Sequence, residues 1–205
     1  MLLYIQMKLQ VTLPTDHKLH RFCIECNADG VEPLYIDGLK KYYCKVCKQT
    51  NNVSIYLGPT TKVWTDDNIE IWHETAGIFV RNSEGKYLFY QRDTFPYSLT
   101  IPAGHVDIND TPEQSASREL REETSITGKL TKLFETDIPG DSCSGGADFH
   151  KWHVFVTDFT DDINNVTILE EGHSPIWLNI DEILQCDITF AVRYIIENFK
   201  DKFTQ

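Results

Sequence analysis

Gly104-His105-Val106-Asp107-Ile108-Asn109-Asp110-Thr111-Pro112-Glu113-Gln114-Ser115-Ala116-Ser117-Arg118-Glu119-Leu120-Arg121-Glu122-Glu123-Thr124-Ser125-Ile126 is the stretch from which the rest of the chain is read. Thr111 suits an N-cap, Pro112 the first helical position, and Gln114 completes a T-x-x-Q capping box. A helix is therefore expected from Thr111 to about Thr124. At about 100° per residue, Glu119, Glu122 and Glu123 fall within an arc of about 100°. Ala116 and Leu120 lie beside that arc, where they can pack. Like charges on one helical patch repel by a few tenths of a kcal/mol per exposed pair. Either water dilutes that repulsion or a cation occupies the patch, and hard carboxylate oxygens suit magnesium or manganese. Arg118 stands four residues before Glu122 and can reach back toward Asp110, holding a carboxylate in a fixed orientation.

Outward from the helix the pattern turns to strands. On the N-terminal side IEIWHETAGIFV is β-rich, Asn82-Ser83-Glu84-Gly85 is a hairpin-type turn, and KYLFYQRD is the return strand. SLTIPAG is a short strand that runs into Gly104. On the C-terminal side strands are expected at about 128–138 and 151–160, a short helical turn at IDEIL, and an amphipathic helix over 188–203. Ala191, Tyr194, Ile195 and Phe199 share one stripe of that helix. Strands and helices mix without regular βαβ alternation, which points to an α+β sandwich rather than a doubly wound sheet. The division expected is an extended lead at 1–18, a cysteine module at 19–50, a linker with a single strand at 51–67, and the main domain at 68–205.

The cysteine module reads Cys23-x2-Cys26-x17-Cys44-x2-Cys47, within four-cysteine zinc spacing. Each C-x-x-C forms a knuckle that presents two thiolates to one ion, and two knuckles complete a closed tetrahedron of the structural kind. The strand-like PLYIDGLKKYYC between them fits a zinc ribbon. About 30 residues cannot build an adequate core, whereas zinc ligation contributes on the order of 10–16 kcal/mol in small fingers. A thioredoxin-type dithiol would need one pair beside a βαβ pattern, which is missing. Cys143 and Cys186 are expected to be free thiols.

The 205 residues carry a net charge of −12, unevenly spread. Residues 1–65 hold eight Lys/Arg and five Asp/Glu, and the remaining 140 sum to −15. A body this acidic repels polyanions unless cations intervene, so broad nucleic-acid binding is open but not favoured. The charge suits a site that loads a divalent cation first and an anionic substrate second. No apolar run reaches the length of a membrane span, and the start lacks the basic lead-in and small-residue cleavage site of a signal peptide. The expected location is the cytoplasm, with no membrane partner.

The 104–126 stretch resembles the Nudix signature, G-x5-E-x7-R-E-U-x-E-E-x-G-U, with U a bulky aliphatic residue. Gly104, Arg118, Glu119, Leu120, Glu122, Glu123 and Ile126 match in register. Asp110 replaces the first glutamate and Ser125 the last glycine. The resemblance implies a Nudix α/β/α sandwich with a mixed sheet, preceded by a small zinc-ribbon domain. It implies Mg2+ or Mn2+ held by Glu119, Glu122, Glu123 and the Gly104 carbonyl, with Arg118 orienting the carboxylates. The implied reaction is attack of water on one phosphorus of a nucleoside diphosphate linked to another moiety. For the general base it leaves two candidates, Glu123 and the acidic loop Leu169–Trp177, where Glu171 is preferred and Glu170 is next. Ser125 should tolerate a left-handed helix end less well than glycine.

Substrate contacts are sought in three places. His105 adjoins Gly104. His150 and Trp152 share one face of their strand, and His153 takes the other. Phe95 and Tyr97 precede the signature strand, while Trp72 and Trp177 read as core. The order of ribbon then signature domain is similar to that of NADH pyrophosphatases, but the S-Q-P-W-P-F-P-type segment of those enzymes is missing from 127–160. NADH, NAD, ADP-ribose and related nucleotides stay open. The alternative is a nucleotide-sensing module whose ribbon binds nucleic acid or a protein partner. A homodimer built through the ribbon is also open.

Overall fold

A computed structural model describes residues 13–16, 18–141, 143–169 and 171–203. Most of the expected lead (1–12 and 17) and Glu170 lie outside these residues. The N-terminal module begins with β1 (His20–Phe22) and then forms a three-stranded sheet of β2 (Glu32–Ile36), β3 (Leu39–Tyr43) and β4 (Thr50–Asn51). The β2–β3 hairpin turns on Asp37-Gly38, both left-handed at φ 52° and 79°. Two central residues with positive φ match the right-handed twist of a tight hairpin. The knuckles repeat one pattern. Asn27 N–H donates to the Cys23 carbonyl and Lys48 N–H to the Cys44 carbonyl, each at 2.9 Å. Asn27 and Lys48 both take positive φ.

The stretch expected to be a linker with one strand holds more. Besides the end of β4 it contains β5 (Ile55–Leu57), paired with β1, and β6 (Val63–Thr65), paired into the main sheet. Each is three residues long, too short for alternation to announce it. Ile55 and Leu57 bury against Phe22 and Ile71, so this segment packs the module onto the body.

The body is an eight-stranded mixed sheet. Its path runs β11 (Thr131–Pro139), β12 (Phe149–Phe159), β7 (Ile71–Asn82), β8 (Tyr87–Arg92) and β13 (Gly172–Leu178). Short β9 (Leu99–Thr100) pairs with β8, and β10 (Ala103–His105) with β7. The β7–β12 pair is parallel and the others are antiparallel, which makes the sheet mixed.

Alternation along β7 sets the two layers. Ala76, Ile78 and Val80 face helix α1 (Pro112–Thr124) through Ala116 and Leu120, with Phe155 from β12. Phe79 faces the other way, with Trp152 and Val154, against α3 (Phe190–Asn198) through Ala191, Val192, Ile195 and Ile196. Short α2 (Ile180–Ile183) covers the end of that layer. The helix expected over 188–203 is α3 followed by a 3-10 turn at Lys200–Phe203. Its buried stripe takes in Val192 and Ile196 beside Ala191 and Ile195, and Tyr194 is half-buried.

Candidate active site

Helix α1 is set by its own termini. Thr111 accepts from Gln114 N–H while the Gln114 side chain accepts from Thr111 N–H, the reciprocal pair read from the sequence. Ser125 closes the helix at φ 59°, and its N–H donates to the Arg121 carbonyl at 2.9 Å. That left-handed position is where the signature prefers glycine, and here a Cβ occupies it.

The helix lays its acidic arc against β10. Ala103 N–H donates to Glu123 Oε2 at 2.9 Å. A Cβ built on Gly104 would lie 2.1 Å from Glu119 Cδ, so the carboxylate occupies the space that a side chain would need. Arg118 sits at the centre. Its Nη1 donates to Glu119 Oε1 at 2.6 Å and to Glu122 Oε2 at 3.3 Å. Nη2 reaches the His105 carbonyl and Asp107 Oδ2, both at 3.4 Å.

The acidic partner of Arg118 ahead of the helix is therefore Asp107, not the expected Asp110. Asp110 instead accepts from Ser115 Oγ at 3.2 Å, inside the helix entry. Its side chain serves the first turn of α1 and not Arg118.

Burial shapes the charges. Glu123 is 4% exposed. Loss of water, and then the nearby Glu119 charge, push its carboxyl up to about 8, against the Ala103 hydrogen bond. Burial also raises Glu119, although the Arg118 guanidinium pulls it back. Glu122 stands half out of the protein, with 43% of its side chain exposed. Stacked carboxyls with too little water favour a bound positive charge, and the donors are all oxygen, as magnesium or manganese requires.

These residues form one wall of a cleft of about 460 Å³. Arg92 lines it from β8, and Arg21 and Lys40 come from the N-terminal module. Arg21 is held between the rings of Tyr42 and Tyr56, 4.9 and 4.8 Å from their centroids. Acidic and basic side chains thus line one space. Glu171 lines the cleft as well, with Oε2 3.7 Å from Arg92 Nη2 and half of its side chain exposed. The basic wall was not foreseen, because Arg21, Lys40 and Arg92 lie in three separate segments without a shared motif.

The remaining expected contacts are placed differently from one another. His105 borders the cleft, but its Nε2 is turned to His73 Nδ1 at 3.0 Å. His150 is buried, and Trp152 is buried with its indole N–H donated to Asp141 Oδ2 at 2.7 Å. Both stand in the wall of the cleft, not at its mouth. His153 lies on the opposite sheet face, 2.7 Å from Glu74. Tyr97 reaches the Lys40 carbonyl through its hydroxyl, which ties the body to the module. Trp72 stacks between Trp64 and Phe149, and Trp177 on Phe159.

In the N-terminal module Cys23 and Cys47 Sγ are 3.6 Å apart, as are Cys26 and Cys44. One ligand atom from each of the four lies within 4.8 Å of the others, a set compatible with tetrahedral zinc. Among the described residues no helix is long and apolar enough to cross a membrane.

An RNA pyrophosphohydrolase of Sphingopyxis alaskensis is 29% identical over 142 residues, 60% of this chain and 90% of that protein. An 8-oxo-dGTP diphosphatase of Haemophilus influenzae is 43% identical over 63 residues, 29% of this chain, and the match spans 46% of that protein's length. Among solved structures, the NUDIX domain of Shewanella oneidensis NrtR, crystallised with ADP ribose, superposes with a TM-score of 0.55 at 16% identity. That match covers 69% of this chain and 94% of that one. A C. elegans Ap4A hydrolase superposes with a TM-score of 0.51 at 21% identity, covering 63% and 96%. The NUDIX domain profile matches residues 72–199, more than half of the chain, and with the α1–β10 site inside that span the chain belongs to the Nudix family.

Proposed function

We propose that this chain is a divalent-metal-dependent pyrophosphohydrolase acting on a nucleoside diphosphate linked to another moiety. The observation that carries the reading is the meeting of Glu119, Glu122 and Glu123 with Gly104 in one cleft that Arg21, Lys40 and Arg92 also line. Relatives named for hydrolysis of 8-oxo-dGTP and of RNA pyrophosphate support the reaction class.

The Gly104 carbonyl and the three glutamates would hold magnesium or manganese. When bound, such a cation neutralises pyrophosphate charge and polarises the attacked phosphorus. Arg118 orients Glu119 and Glu122 through two hydrogen bonds from one nitrogen. Arg92, with Arg21 and Lys40, would bind phosphate oxygens in the same cleft and position the anhydride bond. Glu171, half-exposed in the cleft, would accept the proton of the attacking water. Glu123 is too deeply buried for that role and serves the cation. Zinc in the four-cysteine module would keep Arg21 and Lys40 in place as a structural element.

The test is hydrolysis with magnesium, and separately with manganese. The panel holds NADH, NAD, ADP-ribose, nucleotide sugars, dinucleoside polyphosphates, triphosphates and NAD-capped RNA. One substrate should turn over, and Glu122→Gln should lose at least about 100-fold in kcat with folding intact. Full activity in Glu122→Gln overturns the assignment. Silence across the panel with both metals moves the reading to nucleotide sensing.

A further inference from the structure

A second group of metal-type donors lies beside the acidic residues, in the wall of the same cleft. His73 of β7, His105 of β10, Cys143 of the loop before β12 and His150 of β12 each bring one ligand atom within 4.8 Å of the others. Strand pairing explains the meeting. His150 is the lateral partner of His73, and His105 that of Thr75, two residues further along β7. Side chains two apart on a strand share a face, so all three imidazoles rise from one side of the sheet. The loop then drops the Cys143 thiol onto them.

The nitrogen–sulfur distances suit coordination. Cys143 Sγ is 3.7 Å from His73 Nδ1 and 3.8 Å from His105 Nε2. Around zinc, with bonds of about 2.0–2.1 Å to nitrogen and 2.3 Å to sulfur, tetrahedral N···S edges come to about 3.6 Å. The 3.6 Å sulfur pairs of the four-cysteine module stand equally near their own tetrahedral edge. His150 also has an outer partner. His150 Nδ1 lies 2.8 Å from the Asp141 carbonyl, which can only accept. Nδ1 therefore carries the hydrogen, and Nε2 keeps its lone pair. Donation of the other ring N–H to a carbonyl or carboxylate is the usual setting of a ligating histidine. The Asp141 carboxylate, 3.3 Å from the same nitrogen, is itself fixed by Trp152.

His73 is fully buried and turns Nδ1 to Cys143 and His105.

We propose that His73, His105, Cys143 and His150 form a second zinc site, of one sulfur and three nitrogens, closed and structural in kind. Its place in the fold gives it a task. The carbonyls of Ser144 and Gly145 accept from Ser54 and Tyr56 N–H at the seam with the N-terminal module. His105 adjoins Gly104. One ion would pin the loop, and through it the module's cationic wall, to the strand that bears the acidic site.

The experiment is zinc content per chain in protein purified with zinc supplied, with circular dichroism as the folding control. Two equivalents are expected. Cys143→Ser and His150→Ala should each retain one, as should Cys44→Ser, which keeps the histidine site. Should the variants fail to fold, zinc-edge X-ray absorption on the wild type decides the matter. Two filled sites average five sulfurs and three nitrogens over two ions, whereas the four-cysteine site alone gives sulfur only. One equivalent that Cys143→Ser leaves untouched, or an all-sulfur shell, overturns the proposal.

Discussion

Replacing Glu123 by Gln should stabilise the magnesium-free protein while removing its response to magnesium. Glu123 is almost fully buried, and its carboxyl is pushed up to about 8 from the ordinary 4.5, chiefly by loss of water. The folded state therefore keeps a proton that the unfolded state gives up above 4.5. The contribution is fully present below 4.5 and is lost as pH rises through about 8. With those two values, ionisation of the unfolded chain costs the native state about 2 kcal/mol at pH 6 and about 3 kcal/mol at pH 7. Glutamine cannot ionise, and its carbonyl can still accept from Ala103 N–H. Urea unfolding followed by tryptophan fluorescence, with magnesium removed and zinc left in place, should show Glu123→Gln the more stable protein. The gap should widen by about 1 kcal/mol from pH 6 to pH 7 and level off above pH 8. Saturating magnesium should raise the wild type and leave the variant nearly unmoved. A gap independent of pH, or a variant less stable than the wild type without magnesium, would refute the reasoning.

Two further substitutions probe the same helix. Ser125→Gly places glycine at the left-handed C-cap, now held by serine at φ 59°. It should gain about 0.5–1 kcal/mol in urea unfolding, with no change in turnover. Gly104→Ala puts a methyl group where Glu119 Cδ lies 2.1 Å away. Turnover should fall by about 100-fold at near-normal stability, read as kcat against magnesium concentration. Unchanged kinetics would show that Glu119 can move aside freely.

The parts of this site legible in the sequence were those built from near neighbours. The T-x-x-Q box and the Glu119–Glu123 spacing lie within one helix, and the four cysteines sit in two short knuckles that close locally. Arg118 shows where such reasoning stops. Asp107 and Asp110 are both near it in sequence, and only the path of the chain into α1 turns Asp107 toward it and Asp110 toward Ser115. The stretch at 51–67 misled for a related reason. Strands of three residues carry no readable period, yet Ile55 and Leu57 bury firmly once Phe22 and Ile71 are beside them.

By itself the sequence determined the helix, its caps, the acidic arc, the cysteine knuckles and the mixed α+β character, because each depends on residues a turn or a strand apart. Tertiary structure alone decided the basic wall of the cleft and the meeting of His73, His105, Cys143 and His150. His73 stands 32 residues from His105, and His105 stands 38 from Cys143. Their proximity comes from the pairing of β10 and β12 with β7, a register set by burial of the whole sheet and by no local spacing.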